Sequence, residues 1–134
     1  MAIRLPVKIK FFKKEIETVA LANTGYETEE PQILLPSEVA KKLEIWPELP
    51  QGTTVETYTT SIGEGGMYSI KKKFKVWLPS NPARQIHSMA IIAEKEQEVL
   101  LSDALISALG IIIEDAKKGL WRVKKRRGGK KWRG

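Results

Sequence analysis

Hydrophobic and polar residues alternate along much of this chain with the period of two that is typical of β-strands. Between Ile3 and Phe12, apolar side chains fall on one side and lysines on the other, which predicts a half-buried strand. Lys13-Lys14-Glu15 is then expected to form a hairpin turn. Comparable apolar segments predict further strands at 16–22, 33–35, 53–61, 67–78, 85–93, 99–101, 111–113 and 120–123. The pattern predicts a mainly β domain, in the form of a small closed or orthogonally packed barrel.

Short helices are expected at two points between these strands. Ser37 is expected to cap the first helix, because a serine side chain can accept a hydrogen bond from an N–H group of the first turn. Ser102 and Asp103 are expected to begin the second helix, which runs to Leu109. The predicted domain is therefore mainly β, with one or two short helices.

The apolar segment 19–22 ends abruptly at Asn23-Thr24-Gly25, which is followed by Tyr26. Asn and Gly are common where strands end, so one interpretation is an ordinary corner between a strand and a loop. The other is a binding loop, because such a turn can leave backbone N–H groups available to a ligand. Both interpretations place Asn23 at the end of a buried strand.

The strand that runs into Asn23-Thr24-Gly25, together with segment 33–43 (ILLPSEVAKKL), resembles the retroviral-type (retropepsin-like) aspartic protease family. Segment 99–105 (VLLSDAL) is similar to the second-half pattern of that family, an apolar strand, a glycine and a short helix. Ser102 stands where this pattern has its glycine, and Asn23 stands where the family has its catalytic aspartate. The resemblance covers most of residues 5–123 and implies a small closed barrel of the retropepsin type.

The resemblance implies an activity for which this sequence lacks the central residue. In the family, two subunits related by a two-fold axis each supply one Asp, and the two carboxyl groups share a proton during peptide-bond hydrolysis. Asn has a similar size but does not ionise. We therefore expect a homodimer that binds a peptide or protein substrate at Asn23, Thr24, Gly25 and Tyr26 without cleaving it. Asp103 could be a replacement catalyst, although the positive end of the helix also explains an acid there.

A glycine-rich segment separates the strands predicted at 53–61 and 67–78. By resemblance it corresponds to a flap that closes over the substrate and is formed by Ile62, Gly63, Glu64, Gly65, Gly66 and Met67. A tight surface turn without a function would explain the glycines as well. In the strand that follows, Lys71, Lys73 and Lys75 are expected to share one solvated face that protects against aggregation.

The formal net charge of +7 comes from the end of the chain, because residues 1–123 carry equal numbers of basic and acidic side chains. The basic residues of segment 124–134, which has no acid, are Lys124, Lys125, Arg126, Arg127, Lys130, Lys131 and Arg133. The sequence predicts a domain at 1–123 and a basic, disordered tail at 124–134. The tail also holds Trp132, which could stack on a base, so nucleic acid or an acidic partner could bind there.

The composition excludes several kinds of site. The chain has no cysteine and a single histidine, His87, so disulfides, thiolate metal sites and a histidine zinc cluster are excluded. No cofactor and no metal are predicted. No segment approaches the roughly 18 apolar residues that span a bilayer, and the N-terminal segment lacks a long apolar core. A cytoplasmic protein that does not contact membranes is therefore expected.

Two functions remain open on this evidence. The first is a retropepsin-like aspartic endopeptidase that is inactive because Asn23, natural or introduced, replaces Asp. The second is a naturally non-catalytic binding module of the same fold, whose basic tail would bind nucleic acid or an acidic partner.

Overall fold

The structure is a computed structural model that describes residues 2–60 and 63–124, and nine strands and two short helices lie within these ranges. The strands of the main sheet are β1 (Ala2–Phe11), β2 (Lys14–Asn23), β3 (Gln32–Leu35), β4 (Thr54–Thr60), β5 (Gly63–Trp77), β6 (Ile86–Ala93) and β7 (Val99–Leu101). A separate antiparallel ribbon contains β8 (Ile111–Asp115) and β9 (Leu120–Val123). The helices are α1 (Ser37–Lys42) and α2 (Asp103–Ala108). The prediction of a mainly β domain with one or two short helices is confirmed.

The strand order of the main sheet is β1-β2-β7-β3-β6-β5-β4, and β1 also pairs with β5. This additional pairing closes a ring of hydrogen-bonded strands and leaves β4 outside it, on β5. Strand β7 is parallel to β2 and antiparallel to β3. The end of β2, the beginning of β3 and the end of β7 therefore meet at one edge, which brings Asn23, Gln32 and Ser102 to the same place.

The hydrophobic core lies on the inner side of these strands. In β1 every second residue is buried, from Ile3 to Phe11, so the alternation in the sequence predicted this strand correctly. Helix α2 buries Leu105 and Ile106 against the sheet, and α1 buries Ala40. The largest fully buried side chains are Phe74, Leu5, Ile9, Ile33, Leu35, Leu43, Ile45, Ile70, Leu78, Ile92, Leu101 and Leu105.

The first hairpin turn begins one residue earlier in the chain than predicted. Phe11 pairs with Lys14, so the turn consists of Phe12 and Lys13, and β2 already begins at Lys14. Phe12 adopts a φ of 54°, the left-handed conformation that tight hairpin turns require. Glu15 is paired across the hairpin with a lysine of β1, a favourable pairing of opposite charges that extends the ladder beyond the predicted strand.

The two helices begin in different ways. Ser102 caps α2 as predicted, because its side chain accepts a hydrogen bond from the N–H of Leu105 at 3.2 Å. Ser37 does not cap α1. It is the first residue of that helix, and the capping position is held by Pro36, whose backbone oxygen accepts from Ala40 at 3.0 Å.

The glycine-rich segment is a strand and not an interruption. Residues 63–67 form the beginning of β5 and pair with β4 in an unbroken register from Thr60 opposite Gly63 to Glu56 opposite Met67. Glycines signal a turn when only neighbouring residues are considered, but here pairing with β4 fixes them in extended conformation. The tip of this hairpin, which includes Ile62, lies outside the described residues.

The lysines of β5 do not alternate as predicted. The pairing of β5 with β6 shifts between Ile70 and Phe74, where three residues of β5 lie opposite one residue of β6. Residues 71–73 bulge out of the ladder, and Lys71, Lys72 and Lys73 are all exposed. Lys71, Lys73 and Lys75 are exposed as predicted, but Lys72 is exposed as well, so the expected alternation with period two fails at 71–73.

Candidate functional site

The loop after β2 is held together by Asn23. Its side-chain oxygen Oδ1 accepts a hydrogen bond from the backbone N–H of Gly25 at 3.0 Å, and its backbone oxygen accepts from the N–H of Tyr26 at 3.0 Å. Asn23 is half-buried, whereas Thr24 and Gly25 are exposed. With Oδ1 occupied in this way, the amide nitrogen Nδ2 is the side-chain atom of Asn23 that can donate to a ligand.

Gly25 approaches Asn23 closely. A Cβ at position 25 would lie 3.2 Å from Asn23 Oδ1, which is closer than most real contacts of a Cβ atom. A larger residue would therefore push against the side chain that organises the loop. The short contact, and not an unusual backbone conformation, therefore explains why residue 25 is a glycine.

Tyr26 connects the loop to the neighbouring strands. Its hydroxyl oxygen accepts a hydrogen bond from the side-chain amide of Gln32, at the start of β3, and its backbone oxygen accepts from the N–H of Asp103 at 2.8 Å. Burial raises the pKa of Tyr26, while the hydrogen bond from Gln32 acts in the opposite direction. The phenol therefore stays protonated at neutral pH. Tyr26 helps to fix the position of the loop but adds no charge to it.

Ser102 and Gln32 form the centre of this region, a connection that sequence reasoning missed. Ser102 is fully buried, and its Oγ accepts from the backbone N–H of Gln32 at 3.1 Å as well as from Leu105. In return, the N–H of Ser102 donates to the backbone oxygen of Gln32 at 3.0 Å. The only sequence signal was the capping motif of α2, which says nothing about the contact with β3.

Asp103 has a structural role in this arrangement. Its Oδ1 accepts from the backbone N–H of Thr28 at 2.9 Å and from that of Ala104 at 2.7 Å. These bonds attach the segment after the Asn23 loop to the beginning of α2. They favour the explanation of Asp103 as a helix-start residue over that of a replacement catalyst.

The hairpin of β4 and β5 is anchored at its base by Glu94, another residue that sequence reasoning missed. One carboxylate oxygen of Glu94 accepts from the N–H of Gly66 at 2.8 Å, and the other accepts from the hydroxyl of Tyr68 at 3.0 Å. The N–H of Glu94 donates back to the oxygen of Gly66 at 3.1 Å. Burial and the bond to Glu94 raise the pKa of Tyr68. The ring centroids of Trp46 and Tyr68 lie 4.8 Å apart in an edge-to-face arrangement.

The other predicted flap residues differ in exposure. Gly63 and Glu64 are exposed, Gly65 is buried like Gly66, and Met67 is half-buried. The Asn23 loop and this hairpin lie on strands that are separated by β1 on one side of the ring and by β7, β3 and β6 on the other. A role of these residues in substrate binding stays a prediction.

Of the predicted nucleic-acid tail, only Lys124 lies within the described residues. Its backbone N–H donates to the oxygen of Gly110 at 2.8 Å, so it continues the packing of the β8–β9 ribbon. The remaining predicted tail residues lie outside the described ranges: Lys125, Arg126, Arg127, Lys130, Lys131 and Arg133.

The described part of the chain contains no group of three or more His, Cys, Asp or Glu side chains that could hold a metal ion. Within the same residues, no helix has both the length and the apolar character needed to cross a membrane. The chain matches no protein-family model, and comparison with curated proteins gives no match either.

Proposed function

We propose that this chain is a retropepsin-like aspartic endopeptidase in its fold and its site, with a small closed barrel of that type, and that Asn23 prevents it from cleaving peptides. The observation that carries the proposal is the hydrogen bond from the N–H of Gly25 to Oδ1 of Asn23 at the end of β2. A carboxylate at position 23 could accept the same bond, because aspartate has the same shape and two acceptor oxygens. The ring of strands that includes β2 and β5 also supports this fold.

The proposed chemistry requires two copies of the chain, because each supplies one loop with the motif at 23–25. In an active site of this type, an ionised carboxylate takes a proton from water while a protonated carboxyl donates to the scissile carbonyl oxygen. Asn23 supplies neither a base nor a shared proton. Its Nδ2 can only donate, so two such loops related by a two-fold axis favour a peptide carbonyl oxygen between them. The expected outcome is binding of an extended peptide without cleavage.

Asn23→Asp is the experiment that tests this proposal. The variant should cleave a mixed peptide library with an acidic or bell-shaped pH profile, because two adjacent carboxyl groups titrate with apparent pKa values that are pushed apart. The wild-type protein should cleave nothing. Asn81→Asp, which makes the same chemical change in the loop after β5, is the matched control and should also be inactive. Sedimentation should show a dimer for all three proteins.

A folded, dimeric Asn23→Asp protein that cleaves no peptide would contradict the protease proposal. If the wild-type protein nevertheless binds peptides or nucleic acid, the second function becomes the better one, a non-catalytic binding module. The orientation of the Asn23 amide favours this second function, since a pair of donors is suited to holding a carbonyl group and not to hydrolysing it. A protein that stays monomeric at high concentration would contradict a site made of two loops, one from each subunit, whether position 23 is Asn or Asp.

A further inference from the structure

Lysines of three neighbouring segments gather on the outer surface of the sheet. Lys10 of β1 lies directly opposite Lys75 of β5, and Lys75 lies directly opposite His87 of β6. Residues opposite one another in an antiparallel pair share a face, and these three side chains are exposed. Lys10 and Lys75 carry like charges, which destabilise a sheet in such positions, although Glu15 of β2 lies on the other side of Lys10. The pairing of these two lysines therefore calls for an explanation beyond the stability of the fold.

The bulge in β5 adds further positive charge to this surface. It turns Lys72 toward solvent, where its Nζ lies over Phe12 in the turn that also contains Lys13, whereas the exposed Lys71 lies near Gly52. Three lysines nearby form ion pairs with glutamates, but four do not form any within the described ranges: Lys10, Lys13, Lys72 and Lys75. Because residues 1–123 are neutral as a whole, this concentration of unpaired cations is a property of the fold and not of the composition.

Phe12 is an exposed aromatic ring among these lysines. It is 66% exposed at the turn between β1 and β2, and Nζ of Lys72 lies 5.0 Å from its ring centroid. Two neighbouring rings support it. The ring centroids of Phe12 and Phe11 lie 4.6 Å apart in an edge-to-face arrangement, and those of Phe11 and Phe74 lie 4.2 Å apart in a stacked one. Phe12 is therefore a supported aromatic platform with an accessible surface.

We propose that this lysine face, formed by Lys10, Lys13, Lys72, Lys75 and the ring of Phe12, binds single-stranded nucleic acid. Unpaired lysines can neutralise successive phosphates, and an exposed aromatic ring can stack on an unpaired base. A duplex would use only the lysines, since its bases are already stacked. An acidic protein would also rely on the lysines. An anionic lipid surface could take up the ring of Phe12 as well, so anionic vesicles serve as a comparison in the test. The aromatic platform therefore favours a single strand.

Fluorescence anisotropy with labelled single-stranded oligonucleotides tests the proposal over a range of salt concentrations. Lys10→Gln/Lys72→Gln/Lys75→Gln in the full-length chain removes three phosphate contacts. The slope of log affinity against log salt should therefore become shallower by about 2, at roughly 0.7 per contact. Lys42→Gln/Lys117→Gln/Lys118→Gln removes the same charge from exposed sites elsewhere and should leave affinity and slope nearly unchanged.

Phe12→Leu separates the aromatic contribution from the charge. Leucine keeps an apolar side chain over Phe11 but removes the stacking surface, so affinity should fall roughly 5- to 150-fold with an unchanged salt slope. Circular dichroism melting of each variant verifies that it is folded. If the triple lysine variant does not fold, the single variant Lys75→Gln gives the same test with a smaller change in slope.

Several results would overturn the proposal. One is the absence of oligonucleotide binding at low salt. Another is equal loss of binding in the two triple lysine variants. Binding that depends only on the tail, and disappears in Lys125→Gln/Arg126→Gln/Arg127→Gln while the lysine face variants bind normally, would also overturn it. So would equal affinity for duplex DNA together with no effect of Phe12→Leu, or binding to anionic vesicles with no binding to the oligonucleotides. None of these results depends on whether Asn23→Asp is an active protease.

Discussion

Replacing Ser102 with alanine should destabilise the fold more than replacing Ser37. The substitution removes the oxygen that accepts from the N–H groups of Leu105 and Gln32, in a residue that is fully buried. Loss of a helix cap costs typically about 1 kcal/mol. Leaving a second, partly buried N–H without a partner costs about 1–3 kcal/mol more. We therefore expect Ser102→Ala to lower the unfolding free energy by about 2–4 kcal/mol.

Ser37→Ala is the matched control for this experiment. Both serines lie at the start of a six-residue helix, but the Ser37 side chain makes no capping bond. Its removal should change the stability by no more than about 0.5 kcal/mol. With an unfolding entropy of about 2.1 cal/mol/K per residue, the predicted loss for Ser102→Ala corresponds to a fall in Tm of about 7–14 °C.

Urea unfolding gives the free energies, and an unchanged m value shows that both variants unfold from a similarly compact state. If Ser102→Ala falls within about 0.5 kcal/mol of Ser37→Ala, the two hydrogen bonds of Ser102 contribute nothing net. Water would then satisfy Gln32 and Leu105 as well as the serine does, and the reasoning about this buried connection would be wrong.

Two further substitutions test other contacts. Gly66→Ala should destabilise the protein by roughly 1–3 kcal/mol, because the new Cβ would lie 2.5 Å from the Tyr68 hydroxyl and force that ring away from Glu94. In urea unfolding its effect should be clearly smaller in a Tyr68→Ala background, and equal effects in both backgrounds would contradict the clash. Arg4→Ala should raise the pKa of Glu98, which the hydrogen bond from Arg4 lowers, and carbon NMR titration measures the change. Since the folded state favours the ionised form, this contribution is lost as pH falls through the folded pKa of Glu98, and an identical titration in the variant would show that the pair does not persist in solution.

Local patterns predicted the parts of this fold that depend on local physics. The burial of alternate residues in β1 follows directly from the period of a strand, and the cap at Ser102 follows from the preference of serine for that position. Ser37 shows the limit of the second rule. Pro36 precedes it in extended conformation and takes the capping position, so a serine one residue later cannot fulfil that role.

The features that were missed depend on contacts between distant parts of the chain. A count of alternating residues cannot show that β5 contains extra residues at 71–73, because the bulge exists only relative to β6. The glycines of β5 predict an interruption between two strands, yet Glu94, 28 residues away in the chain, holds Gly66 in the strand. The exposure of Lys72 together with Lys71 and Lys73 could therefore not be recognised from their spacing alone.

The candidate site depends both on a local sequence pattern and on contacts between distant parts of the chain. The residues at 23–25 identify the loop from the sequence, whereas its attachment to Gln32 and Asp103 results from the insertion of β7 between β2 and β3. An asparagine oxygen accepts the N–H of Gly25 as an aspartate oxygen would, so the fold places little demand on the choice between these two residues. The proposed hydrolysis requires the aspartate, because only a carboxyl group can exchange a proton. A loop that keeps its geometry with Asn23 therefore supports the proposed fold, and the proposed activity would depend on the one change from amide to carboxyl.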